Sequence, residues 1–292
     1  MIAALMLAVM AWSGATNSIV VARDGRIEAF DRTGQKKLWS SEGVANASAI
    51  VVSEDERSAA VIDGFGERVA VVSLADGAVE MHDMPGTPVG AAFLGHDLWV
   101  ILRDHSSILH IAGRKQIPVA LDPAFIVAVD GYLYVYSRAD GVLQELDPKT
   151  LQVRRMIGVD TAGSDLEVRG PNAYICRPSD EEIVVVDLPH MTKKRIKAGK
   201  APIDLAFVPF GAKLELDPGT AIIADPASRQ LIEARDPGSG KTINLPSPCD
   251  RVIINGAGVF AQDSNSGALY RIDGRRATKC SWEAKGLVCA EH

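Results

Sequence analysis

Ile19-Val20-Val21-Ala22-Arg23-Asp24-Gly25-Arg26-Ile27-Glu28-Ala29-Phe30-Asp31 reads as an apolar strand, a turn, and a second strand that ends in Asp. Asp-Gly between two apolar runs marks a tight hairpin, since both residues tolerate the left-handed backbone that such turns require. The same unit returns as AAVIDGFGERVAVVS from Ala59, LWVILRDHSSILHIA from Leu98, LYVYSRADGVLQELD from Leu133, AYICRPSDEEIVVVD from Ala173, AIIADPASRQLIEARD from Ala221 and VFAQDSNSGALYRID from Val259. The copies start roughly 35 to 48 residues apart, the period of four-stranded propeller blades. A further apolar strand precedes most copies, as in Val89-Gly90-Ala91-Ala92-Phe93, Phe125-Ile126-Val127-Ala128, Ile203-Asp204-Leu205-Ala206-Phe207 and Arg251-Val252-Ile253-Ile254. No long window after the start shows helical periodicity, so units alternating strand and helix, with a parallel sheet, have little support. The chain is therefore expected to be all-β, a seven-bladed β-propeller of four-stranded antiparallel blades. Ile27, Val69, Leu109, Leu143, Val184, Leu231 and Leu269 should occupy near-equivalent places in the third strands.

The two ends decide how such a ring closes. Met1 to Trp12 carries no charged side chain and is followed by Ser13-Gly14-Ala15, which reads as a signal peptide cleaved after Ala15. No Lys or Arg precedes the apolar run, and the alternative is a buried N-terminal strand or helix. Residues 1–15 are thus expected to be a leader and 16–292 one propeller. Blade one would then start without its innermost strand. Gly286-Leu287-Val288-Cys289-Ala290 is left over after the seventh unit, and self-alignment predicts that this C-terminal strand completes the first blade.

Of the 292 residues 47% are hydrophobic and 23% charged, with a formal charge of -6, which is the balance of a folded chain. No window gathers basic residues with aromatics, so nucleic acid is not an expected partner. The apolar start is too short to anchor in a bilayer, so no integral membrane segment is expected after cleavage. A periplasmic or secreted monomer follows from these readings.

The units resemble the YVTN-type β-propeller repeat. The resemblance rests on Gly86-Thr87-Pro88-Val89 with Leu98-Trp99-Val100, Gly199-Lys200-Ala201-Pro202 with Ala221-Ile222-Ile223-Ala224-Asp225, and Ile183-Val184-Val185-Val186-Asp187. It covers nearly all of residues 16–292 and implies an exported, WD40-like propeller rather than an activity. Ala29-Phe30-Asp31-Arg32-Thr33-Gly34 with Trp39 is similar to a single quinoprotein repeat. Only one copy occurs, and no adjacent cysteine pair accompanies it. The match therefore reads as hairpin chemistry, with Trp39 packed between blades.

A charged residue recurs where the first hairpin strand of each unit ends: Arg23, Asp63, Arg103, Arg138, Arg177, Asp225 and Asp263. Equivalent loops of a propeller surround one axis, so these groups should ring one mouth of the channel. One reading is a self-neutralising ring of ion pairs, each worth about 0 to 1 kcal/mol. The other notes that Arg103, Arg138 and Arg177 face one side and Asp225 and Asp263 the other. Asp165, Asp204 and Asp250 add carboxylates at the starts of innermost strands. Such a mouth would hold a small charged ligand, or a divalent cation on its acidic side. No cofactor is expected.

No His-x-x-x-His pair, Gly-x-Ser-x-Gly elbow or phosphate loop occurs. The expected function is a non-catalytic binding or scaffold propeller that recognises a partner protein or small charged molecule. A lactonase-like hydrolase or a redox-associated propeller enzyme, acting through acids at the channel mouth, is the alternative. Among Cys176, Cys249, Cys280 and Cys289, the pair Cys280 and Cys289 can meet if the link between them folds back. The alternative is packed thiols.

Overall fold

The computed structural model describes residues 9–13, 18–31, 34–208, 219–236, 239–255, 258–283 and 286–289. They form seven antiparallel sheets, six of four strands and one of five. Each sheet is one blade built from a continuous stretch of chain, laid down from the channel outwards. The innermost strands are Val9–Ser13, Ala49–Val52, Pro88–Leu94, Pro123–Val129, Asp165–Arg169, Asp204–Phe207 and Arg251–Asn255.

The second strands are the apolar runs of the repeat because both of their faces are buried. In blade two, Ala59 and Val61 pack towards blade one, while Ala60 and Ile62 point towards blade three. That is the period-two alternation of a strand sandwiched between two sheets. Seven apolar clusters result, each shared by two neighbouring blades. Trp39 packs in the cluster between blades one and two, and its Nε1 donates to Leu74 O at 3.2 Å. The first hairpin turns through Asp24 at φ 51° and Gly25 at φ 72°, the two left-handed residues of a two-residue hairpin.

The ring is not completed by the C-terminus. Val9–Ser13 is the innermost strand of blade one, with Val9 opposite Ala22 and Ser13 opposite Ser18. Gly286–Cys289 instead adds a fifth, outermost strand to blade seven, with Cys280 opposite Cys289. Reach explains the correction. Crossing a four-stranded blade from rim to channel covers about 14 Å, while the link between Glu283 and Gly286 extends to about 11 Å at most. The proposed cleavage point, Ala15, lies outside the described residues; cleavage there would remove the innermost strand of blade one. The expected third-strand equivalence holds in five blades. In blades three and five the true counterparts are Ile108 and Ile183, one residue earlier, and a one-residue slip turns a side chain to the other face.

Candidate functional site: the channel and its mouth

The turns between second and third strands, and the loops that lead into each blade, lie on the same side of the ring. This side is the predicted mouth. The charged residues expected there divide by register. Arg23, Asp63, Arg177, Asp225 and Asp263 are the last residues of their strands, paired with Arg26, Arg68, Glu182, Gln230 and Ala268. Arg103 and Arg138 come one place later, inside the turns, because the strands end at Leu102 and Ser137. The Arg103 side chain is 46% exposed, that of Arg177 only 9%.

Most of the mouth acids bind backbone. Asp63 accepts from Gly66 N at 2.8 Å and Asn46 N at 3.3 Å, joining its turn to the loop that leads into its own blade. Asp225 does the same for blade six, accepting from Lys200 N at 2.9 Å, Ala201 N at 3.1 Å and Ser228 N at 3.3 Å. In blades three and four this work falls to residues within the turns, Asp104 on Thr87 N at 3.0 Å and Asp140 on Leu121 N at 2.8 Å. Asp250 makes the link in reverse, from the loop to Ser264 N at 2.8 Å. Asp263 closes its own turn on Asn265 N and Ser266. Burial opposes its ionisation, but the Ser266 hydrogen bonds hold its carboxyl below the ordinary range.

The arginines also fasten loops. Arg103 pairs with Asp122 at 3.4 Å. Arg138 lies over the Phe125 ring and donates through Nε to Gly163 O at 3.2 Å. Arg177 bonds Glu182 at 2.9 Å and Asp180, donates to Thr161 O at 3.3 Å and reaches Asp160 at 3.6 Å. Asp160 also receives Arg195 at 2.6 Å and Lys193 at 3.3 Å. Burial raises its pKa, but these cations outweigh burial and hold the carboxyl low. The expected basic side thus exists in blades three to five, but acids are interleaved with it.

Asp165 and Asp204 are not mouth residues. They sit just inside the channel, on the innermost strands of blades five and six. Asp165 accepts from Leu205 N at 3.0 Å, and Asp204 accepts from Val252 N at 2.6 Å, so each clasps the backbone of the next blade. Glu167 lies two residues beyond Asp165, hence on the same face of the strand. Sequence reading passed over it, although the Asp165-x-Glu167 spacing carried the signal. All three residues are partly exposed, and protein surrounds their carboxylates closely. Burial first, then Asp204 and Glu167, push Asp165 well above the usual carboxylate range. Burial and Asp204 raise Glu167 to about 8. Burial raises Asp204 to about 6, against the Val252 amide and Arg251, which lower it. Among the described residues, no group of three or more His, Cys, Asp or Glu is placed to hold a metal ion.

Cys176 and Cys249 are buried free thiols, and Cys280 is disulfide-bonded. Burial, together with Asp165, Asp204 and Glu167, drives the Cys176 thiol pKa upward and keeps it neutral. Among the described residues no helix is long and apolar enough to cross a membrane.

No protein-family model and no curated protein matches the chain. Solved structures do. The Cps50 (Swd1) β-propeller domain of Myceliophteria thermophila superposes with a TM-score of 0.74 at 13% identity, covering 93% of this chain and 98% of that one. A chain from the crystal structure of the mitotic checkpoint complex gives 0.73 at 12%, covering 92% and 87%. A chain of Kuenenia stuttgartiensis hydrazine synthase gives 0.70 at 12%, covering 92% and 96%. At these identities the likeness is of fold alone.

Proposed function

We propose that this chain is an exported, non-catalytic propeller that binds a partner protein or a small charged ligand at the mouth of its channel. The observation that carries the reading is the use made of the mouth's charged side chains. Asp63, Asp104, Asp140, Asp225, Asp250, Arg138 and Arg177 each hold loop backbone in place. A surface fixed in this way loses little conformational entropy when a partner docks, which is how preorganised binding faces gain affinity. Arg103 and His105 stand exposed on blade three to make the contact. Export is supported by the resemblance to YVTN-type propellers. One similar fold belongs to an assembly, the mitotic checkpoint complex, which agrees with a scaffold role as analogy.

The test is affinity capture from extracts of the native host, with the parent and an Arg103→Glu variant. A partner or ligand retained by the parent and lost by the variant is expected. Equal retention by both would remove the mouth as the binding face, and turnover of a lactone panel by the parent would replace binding with catalysis.

A further inference from the structure

The carboxylates of the channel have a role that binding at the mouth does not use. By register, the innermost-strand residue opposite the penultimate residue of the second strand is Val9, Ala49, Gly90, Phe125, Asp165, Asp204 and Arg251 in blades one to seven. The first four are apolar or lack a side chain, and the last three are charged. Blades five and six therefore carry side-chain acceptors at their inner edges. Each acceptor takes the backbone N–H of the following blade, at Leu205 and at Val252. Two consecutive joints of the ring are clasped in this way.

We propose that Asp165, Glu167 and Asp204 form a proton-dependent clasp across the joints of blades five, six and seven, closed while the group retains its protons and loosened when it loses them. Like charges in a confined channel repel, and poor hydration there strengthens the repulsion. The surroundings supply little relief. The innermost strand of blade four, Pro123–Val129, carries no titratable side chain. The strand behind Asp165 offers Cys176 opposite it and Tyr174 opposite Glu167. Arg169, on the same face as Glu167, is engaged with Gly219 O and lies over the Phe207 ring. Behind Asp204 stands Ala224. Arg251 on blade seven attracts Asp204, while Asp250 beside it repels. Asp225 and Asp263 are occupied in their turns.

The sign follows from the pKa directions. All three groups are raised above their unfolded values, so between about pH 4 and 8 the folded chain binds more protons than the unfolded one. Their contribution to stability is full below about pH 4 and is lost as pH climbs through 6 and 8. The effect reaches the mouth, because the loop that leads into Asp165 contains Thr161 and Gly163, whose carbonyls receive Arg177 and Arg138.

Hydrogen exchange of the full chain tests this at the amides of Leu205 and Val252, read as protection factors so that the intrinsic pH dependence cancels. Between pH 5.5 and 8.5 their protection should fall about tenfold or more relative to the Val61 amide in blade two, the factor that one pKa unit represents. In Glu167→Gln the fall should shrink to about threefold or less, since one charge of the cluster is gone. Asp165→Asn, which keeps an acceptor for Leu205, should behave likewise and serves if Glu167→Gln does not fold. A fall equal in parent and variants, or one shared by blade two, overturns the proposal.

Discussion

Tyr136→Phe removes one oxygen from a fully buried ring and tests how the mouth is fastened. The Tyr136 hydroxyl donates to Asp160 O at 3.0 Å and accepts from Gly163 N at 2.8 Å, so it bridges both ends of the loop between blades four and five. Without it a carbonyl and an amide lose their partner. Each such group costs about 1 to 3 kcal/mol when left buried. Asp160 lies near solvent and Gly163 does not, so the carbonyl should cost little and the amide most of its range. The expected loss is about 2 to 3 kcal/mol. For a chain of this length that lowers Tm by about 3 to 5 °C. Urea unfolding should show the midpoint shifted at constant m-value, because the core packing of the ring is retained. A variant within about 0.5 kcal/mol of the parent, the usual scatter of neutral substitutions, would refute the reasoning and mean that the loop's other contacts hold it without the hydroxyl.

Glu145→Ala strips Arg154, Arg155 and the Tyr134 hydroxyl of a fully buried carboxylate. Both arginines reach solvent, so the loss should stay near about 2 to 3 kcal/mol rather than the 3 to 5 of a wholly buried pair, measured by urea titration. Alkylation of the unfolded, unreduced chain should modify Cys176 and Cys249 only, and reduction should expose the remaining thiols; four labels before reduction would remove the crosslink at Cys280. Truncation after Ala284 takes away only the added outer strand and that crosslink. It should cost about 2 to 4 kcal/mol by calorimetry and leave a folded ring, and failure to fold would return the segment to blade closure. Removal of residues 1–15 strips blade one of its innermost strand and should be far more damaging. A mature N-terminus at Thr16 on a protein that melts like the full chain would show that blade one stands without that strand.

The blade count was legible because strands buried on both faces, such as Ala59–Ile62 and Leu133–Tyr136, leave uninterrupted apolar runs that repeat. The termini were not. Val9–Ser13 and Leu287–Cys289 are both short and apolar, and alignment alone cannot weigh the tether that lets one of them reach the channel. The mouth was legible by position and misread by one residue at Arg103 and Arg138. Turns of four residues follow the strands in blades two to seven, and nothing in a charged side chain tells the strand's last place from the turn's first. Glu167 does not stand at a strand end, yet the pleat carries a carboxylate two places beyond Asp165 into the same channel.

No strand passes from blade seven to blade one among the described residues. The final joint rests on packing of Ile19, Val21 and Phe30 against Phe260, Leu269 and Cys280. Mechanically the protein is a split lock washer, a band bent into a circle whose ends meet without being riveted. Twisting or pulling such a band spreads its gap first, and heat should do the same to the chain before any blade unravels. It also means that the circle has no privileged cut. Joining the present ends and reopening the chain at another loop between blades would give a permuted molecule of the same shape, in which the joint between blades seven and one is bridged by peptide.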